Sequence, residues 1–309
     1  MTPVLYWGGE SEKNMIKKIA PVLILLSLCL TPYLPAQERH LDVPYVPTKY
    51  PVVDEMLRLA NVQKTDLLID LGCGDGRIVV SAAQKCGARA IGVDIDPDRI
   101  EESQENAAKA GVKDHVKFIQ GDLFQAEIRE ASVVSLYLLT SVNLKLRPRL
   151  VRELRPGTRV VSHNFGMDDW KPDQTSNVMV DEISHDVFLW IIPANASGTW
   201  KWTMAEPKSS WEMKLEQLFQ QISGSISVNG ASAALKDAAL AGDKIKFTAE
   251  RQLNEKTVSF VFEGVVRGHT IVGKATQNGK ELGEWKASRN PVTQKDIDTG
   301  SGTDIRYMN

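Results

Sequence analysis

The chain has 309 residues, a formal net charge of −2 and 42% hydrophobic residues. A chain of this length is expected to form about two domains, each with a sizeable core. The balanced charge provides none of the basic excess that nucleic-acid-binding proteins concentrate on one face, so we expect no nucleic acid as partner.

The N-terminal segment predicts a leader. From Met15 the chain reads MIKKIAPVLILLSLCLTPYLPAQ, in which two lysines precede an apolar run and Ala36 lies at a suitable cleavage position. We interpret residues 15–36 as a signal peptide and residues 1–14 as an extension from an upstream mis-start. We therefore expect export to the periplasm or another extracytoplasmic compartment, with membrane contact through the leader only. A cytoplasmic protein with an uncleaved membrane anchor is the alternative, although the apolar run is shorter than the ~20 residues that a spanning helix needs.

Helix-like and strand-like segments alternate between residues 45 and 193. A helix with apolar residues at helical spacing in PVVDEMLRL precedes an apolar strand in DLLIDL. Helices in GRIVVSAAQKCG and PDRIEESQENAAKAG then alternate with strands in ARAIGVDID, HVKFIQ and SVVSLYLL, and a late strand lies in HDVFLWIIPA. This order predicts an α/β fold with an open, mostly parallel, Rossmann-like sheet that binds its ligand at the carboxyl ends of the strands.

A second unit begins at Gly198, where short alternating segments are separated by glycine turns. The pattern predicts a small antiparallel all-β domain, a barrel or a sandwich, over residues 198–289. Its residues Trp200, Trp202 and Trp285 either line a ligand mouth or pack in the core, and we favour the core. The polar tail over residues 290–309 is predicted to be disordered.

The stretch DLGCGDGR, from Asp70 to Arg77, places three glycines at alternate positions between a strand and a helix. Such a turn lets a ligand approach the backbone closely. The dinucleotide fingerprint needs glycine where Arg77 stands, and Asp75 adds negative charge where a pyrophosphate needs amide hydrogens. A P-loop is excluded because no Gly-Lys-Ser/Thr follows. The turn therefore predicts a cationic ligand without phosphates.

These residues resemble the D/E-x-G-x-G-x-G motif of class I methyltransferases, whose cofactor, S-adenosyl-L-methionine, carries a sulfonium and an ammonium. The strands that follow end in Asp94 and in the Gly-Asp-Leu that contains Asp122. By this resemblance, Asp70, Gly72 and Gly74 surround the methionine part of the cofactor, Asp94 binds the ribose and Asp122 lies near the adenine amine. Taken singly, each of the last two carboxylates has a solvated loop or a helix cap as its alternative.

The segments YVPT, DLGCGDGRIVVSAA and LRPRLVRELRPGTRVVSHNF together resemble the seven-strand protein-lysine methyltransferases of the type that modifies the ATP synthase c-subunit. The resemblance covers about Tyr45 to Phe165 and implies N-methylation of a protein lysine. It also implies that Thr48 helps to hold the cofactor's carboxylate, with helix capping as the alternative. The run from Tyr137 to Asn143 departs from the Asn/Asp-Pro-Pro-Tyr turn of adenine and glutamine methylases, which argues against a planar amide or base as acceptor.

Methyl transfer depends on positioning and desolvation of the reacting groups and requires no metal. A lysine acceptor, with an ordinary pKa of ~10.4, must first lose a proton. Tyr137 and Asn143 are the candidate catalytic residues, with core packing as the alternative for Tyr137, and His163 and Asn164 are lesser candidates. Two other functions stay open: an exported binding protein that keeps the fold without catalysis, and a methyltransferase with a small-molecule acceptor.

Overall fold

The computed structural model describes residues 45–205, 208–253 and 256–297, together with Met1 and Pro3. The mis-start and the signal peptide predicted over residues 1–36 lie outside the described residues, apart from these first two positions, and both stay predictions. Within the described part of the chain, no helix combines the length and the apolar character that crossing a membrane requires.

An open seven-stranded sheet with helices on both faces forms the first part of the described chain. The helices are α1 (Tyr50–Leu59), α2 (Arg77–Cys86), α3 (Pro97–Lys109) and α4 (Thr140–Glu153). The strands are β1 (Leu67–Leu71), β2 (Arg89–Asp94), β3 (Val116–Gln120), β4 (Val133–Leu136), β5 (Arg159–His163), β6 (Gln174–Val180) and β7 (Ile183–Ile191). Their order is β3-β2-β1-β4-β5-β7-β6, with β1 to β5 parallel and the last two strands antiparallel. The predicted Rossmann-like, mostly parallel sheet is confirmed.

The centre of this sheet is buried on both faces. Every residue of β4 is buried, as its continuous apolar run predicts. On one face, α1 packs Val52, Val53 and Met56 against the strands, and on the other α4 packs Leu146 and Leu150. The polar ends of the strands are thereby left at the carboxyl edge of the sheet.

The far edge of the sheet is a hairpin of which sequence analysis found only the second strand. β6, with the sequence QTSNVMV, is largely exposed and has little apolar alternation to reveal it. Because β7 runs antiparallel to β5, with Val187 opposite His163, residues 183–186 extend past the carboxyl end of β5. The hairpin therefore places β7 side chains beside the edge at which the ligand is expected.

The second part is a closed antiparallel barrel. Its strands are β8 (Gly198–Met204), β9 (Ser209–Leu218), β10 (Gln221–Val228), β11 (Ala231–Ala241), β12 (Lys244–Leu253), β13 (Lys256–Arg267), β14 (Thr270–Gln277) and β15 (Lys280–Arg289), and β15 pairs with β8 to close the barrel. The predicted all-β region is confirmed, as a barrel and not a sandwich. Trp200, Trp202 and Trp285 are buried in its core, as the favoured interpretation has it.

The prediction of a disordered tail from residue 290 onward is wrong for its first part. A short 3-10 helix, Pro291–Thr293, follows β15. The backbone N–H of Lys295 donates to Ser197 Oγ (2.9 Å), and the Ile297 carbonyl accepts from Phe219 N–H (2.8 Å). The buried side chain of Ile297 gives this segment an apolar anchor that its polar composition conceals. Residues 298–309 lie outside the described residues.

Candidate active site

The glycine turn joins β1 to α2. Gly72, Gly74 and Gly76 have φ values of +79°, +54° and +76°, which side-chain-bearing residues rarely adopt. A Cβ atom added to Gly74 would lie 2.5 Å from the Tyr45 ring, and one added to Gly72 would lie 2.9 Å from Leu138. The turn thus needs glycine both for its conformation and for the close approach of its neighbours.

Asp94 is the last residue of β2, and Asp122 lies in the turn after β3. The Asp94 carboxylate accepts from the backbone N–H of Gly74 (2.8 Å) and that of Asp96 (3.0 Å). Asp122 accepts from Phe124 N–H (2.8 Å) and from a glutamine side chain. Both carboxylates are half-buried. Since an ionised carboxylate has about four acceptor positions, each keeps capacity to bind ligand hydroxyl or amine groups.

Asp70, at the end of β1, is the most deeply buried carboxylate of the site. It is 2% exposed and accepts from Ser135 Oγ (2.7 Å). Burial, together with repulsion by Asp94 and Asp75, raises the pKa of Asp70 to about 7. Among the described residues, no basic side chain acts on that pKa. A cofactor that carries an ammonium and a sulfonium fits this uncompensated acidic site, and a polyphosphate does not.

Arg77 ties the glycine turn to the segment before α1. Its guanidinium donates to both oxygens of Asp75 (2.6 to 3.1 Å) and to the Thr48 carbonyl (2.8 Å). Arg77 is the residue that stands in place of the third dinucleotide glycine. Its guanidinium therefore pairs with Asp75 within the chain, whereas Asp70 and Asp94 have no ion-pair partner among the described residues.

Thr48, His163 and His185 form a hydrogen-bonded row beside Tyr137. The Thr48 Oγ1 atom lies 3.2 Å from Nδ1 of His163, whose Nε2 atom lies 2.9 Å from Nδ1 of His185. The Tyr137 ring stacks on His163 with ring centroids 3.9 Å apart. His163 is 1% exposed, and burial, followed by the nearby His185, lowers its pKa to about 4. His163 is therefore a neutral ring with both nitrogens engaged.

The structure separates the predicted acceptor-side residues. Tyr137 is half-buried, and burial raises its pKa, so the phenol stays protonated at neutral pH. Asn143 is 0% exposed and donates to the Phe165 carbonyl (3.0 Å), while its Oδ1 atom has no partner among the described residues. Asn143 thus anchors the segment after β5, and its catalytic role stays a prediction. Asn164 likewise accepts from the backbone N–H of Asp186 (2.8 Å) in a turn.

Thr48 does not cap α1. The residue that caps α1 is Lys49, with no side-chain cap, so the capping alternative is wrong. The Thr48 hydroxyl faces His163, and its contact with the cofactor carboxylate stays a prediction.

His185 was missed because its only sequence signal is indirect. It lies two residues before Val187, on the same face of β7, and the register of β7 against β5 had to be known first.

The α/β part of the chain is similar in sequence to known methyltransferases. A family model, ANTKMT methyltransferase domain, matches residues 70–174. A protein-lysine N-methyltransferase from Saccharolobus islandicus (strain REY15A) is 45% identical over 151 residues, which cover 48% of this chain and 94% of the relative. The ATP synthase C-subunit lysine N-methyltransferase of Xenopus laevis is 30% identical over 165 residues, 53% of this chain and 72% of the relative.

A solved structure described as an RNA methyltransferase from Salinibacter ruber in complex with S-adenosyl-L-homocysteine is 56% identical, covers 48% of this chain and 94% of its own, and has a TM-score of 0.46. The family model ends at residue 174, before the barrel begins at Gly198. Over its α/β part, this chain belongs to the protein-lysine N-methyltransferases, a family of S-adenosyl-L-methionine-dependent enzymes.

Proposed function

We propose that this methyltransferase transfers a methyl group to the side-chain nitrogen of a lysine in a protein acceptor. The observation that carries the proposal is the 45% identity over 94% of the length of a protein-lysine N-methyltransferase. The departure of the run Tyr137 to Asn143 from the turn of amide and adenine methylases argues against a planar amide or base as acceptor.

The cofactor side of the site has a defined division of roles in this proposal. S-adenosyl-L-methionine supplies a methyl group activated by its attachment to a sulfonium. Asp70, Gly72 and Gly74 would hold the methionine part, where the buried Asp70 carboxylate favours a positive charge. Asp94 would bind the ribose hydroxyls and Asp122 the adenine amine. The glycine turn between β1 and α2 would let the cofactor approach the backbone closely.

The acceptor side presents a tyrosine held against a neutral histidine. A lysine must reach the site as a neutral amine, and the Tyr137 hydroxyl oxygen can accept a hydrogen bond from an N–H of that amine, which leaves the nitrogen lone pair free to face the methyl group. His163 does not take up the lysine proton, because both of its nitrogens are engaged and its pKa is about 4. Its role is to fix the Tyr137 ring by stacking.

Labelling with methyl-tritiated cofactor tests the acceptor class. The full chain is incubated with a cell extract that is afterwards separated into protein, RNA and small molecules, and the protein is hydrolysed to identify methylated amino acids. We expect tritium in N-methyl-lysine of the protein fraction, and its loss with Asp94→Ala. The matched control, Asp98→Ala, changes an exposed carboxylate of the first turn of α3 and should label as the wild type does. Label confined to RNA or to small molecules would contradict the proposal.

We also propose export through the leader, on the support of the two lysines that precede the apolar run from Met15. Fractionation of cells that express a C-terminally tagged chain, with mass spectrometry of its N-terminus, tests this. We expect an extracytoplasmic protein that begins at Gln37. An uncleaved chain recovered with the cytoplasmic face of the membrane would favour the anchored alternative.

A further inference from the structure

The turn between β9 and β10 projects from the barrel into the core of the methyltransferase part. Phe219, in this turn, is 2% exposed and stacks on Trp170 with ring centroids 5.1 Å apart and an interplanar angle of 13°. Phe219 has a φ of +50°, a conformation that is uncommon for residues other than glycine. Such a backbone conformation persists where the surrounding contacts hold it.

Polar contacts extend this junction on both sides of the Phe219 ring. Gln220 Oε1 accepts from the Trp170 indole N–H (2.9 Å), and Gln220 Nε2 donates to the Lys171 carbonyl (2.8 Å). The Arg147 guanidinium of α4 lies 5.2 Å from the Phe219 ring centroid and donates to the Met167 carbonyl (3.0 Å). The barrel turn thus contacts the segment between β5 and β6, residues 164–173, which we call the β5–β6 segment.

The β5–β6 segment leads directly to the acceptor side of the site. It begins after His163, and its Phe165 ring lies 6.1 Å from the Tyr137 ring. Within the segment, the only described pairing is an isolated bridge between Met167 and Trp170. Backbone bonds hold its two ends, from Asn164 N–H to the Asp186 carbonyl and from Asp173 N–H to the Leu189 carbonyl (both 2.8 Å). Residues 167–171 between them are instead contacted by side chains of α4 and of the barrel turn.

The turn is also held firmly on the barrel side. The Phe219 N–H donates to the Ile297 carbonyl (2.8 Å), and Gln217 Nε2 donates to the carbonyls of Phe219 (2.6 Å) and Ala194 (2.9 Å). The barrel therefore presents a fixed turn to the β5–β6 segment.

We propose that Phe219 and Gln220 are positioning residues for methyl transfer. By fixing residues 170 and 171 of the β5–β6 segment they support, together with the bond from Asn143 to the Phe165 carbonyl (3.0 Å), the position of Phe165 at the acceptor side, whereas the contacts described for the turn include no residue of the glycine turn. The role of the barrel is thus to support the acceptor side from outside the family's own domain. The activity readout of this inference rests on the proposed lysine acceptor; its structural readout does not.

The test compares Phe219→Ala and Gln220→Ala with matched barrel variants in the full chain. Phe260→Ala removes a buried ring that packs on Trp211 inside the barrel, and Gln252→Ala removes a glutamine whose partner is Thr257. Three quantities are measured: hydrogen–deuterium exchange of peptides from residues 164–173, calorimetric affinity for S-adenosyl-L-homocysteine, and the rate of tritium transfer to extract protein. We expect Phe219→Ala to speed exchange in the β5–β6 segment and to slow transfer at least tenfold, with the affinity for S-adenosyl-L-homocysteine within twofold.

Gln220→Ala should slow transfer about threefold, and Gln220→Glu, which keeps the acceptor for Trp170 and loses the donor to Lys171, should fall between it and the wild type. If Phe219→Ala does not fold, the two Gln220 variants decide. Unchanged exchange of residues 164–173, or an equal loss of transfer in Phe260→Ala and Gln252→Ala, would overturn the inference. If the wild type labels no lysine, the proposed function fails, and the exchange measurement still decides the support role of the turn.

Discussion

The two β-sheets of this chain differ in whether they have unpaired edge strands: the first sheet is open, and the second is a closed barrel. The open sheet ends at a carboxyl edge where Asp70, Ser135 and His163 are buried together. The barrel closes on itself, so each strand is paired on both sides, and its interior is filled by aromatic rings such as Trp202, Trp211 and Phe262. The open edge thus carries the carboxylates and the histidines of the candidate site, whereas the barrel interior is filled and the barrel contacts the first part through the turn at Phe219.

The α/β part and the barrel are nevertheless in direct contact, beyond the segment that links them. The Ala194 N–H donates to the Gly242 carbonyl (2.8 Å), and a Cβ atom added to Gly242 would lie 3.1 Å from the Cα atom of Gly157. Trp170 is fully buried with Phe219 of the barrel in its cluster. Removing the barrel would expose Trp170, so the α/β part is not expected to keep its full stability alone.

The largest effect should come from the barrel interior and should leave the cofactor site intact. Trp211 stacks on Trp202 (5.7 Å) and contacts Phe262 edge-on (5.1 Å). We expect Trp211→Ala to lower the free energy of unfolding by about 3–5 kcal/mol, because a large cavity is left in a packed core. Denaturant unfolding measures this, and Val272→Ala, at an exposed barrel position, should change it by less than about 0.5 kcal/mol. Loss of S-adenosyl-L-homocysteine binding by folded Trp211→Ala would break the separation between the two sheets.

The next effect concerns the open edge alone. We expect Asp94→Ala to weaken cofactor binding by about 1.5–3 kcal/mol, because hydrogen bonds to a charged carboxylate are lost. Calorimetry with S-adenosyl-L-homocysteine measures the change, and the unfolding of the barrel should stay as in the wild type. Since Asp94 also accepts from Gly74 and Asp96, the variant Asp94→Asn separates ligand contacts from the support of the turn. An affinity equal to that of the wild type would remove Asp94 from the site.

A pH dependence should follow from Asp70. The pKa of Asp70 is raised to about 7 in the folded protein, whereas in the unfolded chain it keeps its ordinary value of 3.8. Between these two values the folded state binds more protons than the unfolded state, so the free energy of unfolding of the ligand-free protein decreases as pH rises from about 4 to 7. The ammonium of the ligand binds the ionised form, and the affinity for S-adenosyl-L-homocysteine should therefore fall about tenfold from pH 8 to pH 6. Calorimetry at several pH values measures this change. Asp70→Asn should bind more weakly and lose the dependence; a slope that persists in this variant would assign it to another group.

The smallest effect should separate the two roles open to Thr48. Thr48→Val removes the hydroxyl that lies 3.2 Å from His163 Nδ1 and should lower the free energy of unfolding by about 1 kcal/mol. Thr48→Ser retains the hydroxyl. We expect the valine variant to transfer methyl groups about fivefold more slowly with an unchanged affinity for S-adenosyl-L-homocysteine, and the serine variant to match the wild type. Weaker binding at an unchanged rate would instead support contact with the cofactor's carboxylate.

Patterns among neighbouring residues were sufficient to predict individual strands, helices and the glycine turn. The continuous apolar run of β4 predicted a central strand, and the alternate glycines from Gly72 onward predicted a close ligand approach, because each depends on residues next to one another. The order of Asp70, Asp94 and Asp122 after successive strands was enough to place three carboxylates at one edge, since parallel strands share their carboxyl end.

The contacts between side chains that are distant in the sequence follow only from the tertiary structure. His163 gained Thr48 and His185 as partners through the segment before α1 and the antiparallel β7, and Asn143 proved to be buried against the Phe165 carbonyl. The contact of Phe219 with Trp170 joins residues about fifty positions apart, one in a barrel turn and the other in the β5–β6 segment. Local periodicity indicates which face of an element is apolar but not which partner covers it. The register of β7 against β5, the contact of the barrel turn with Trp170 and the burial of Asn143 all depend on how distant segments pack.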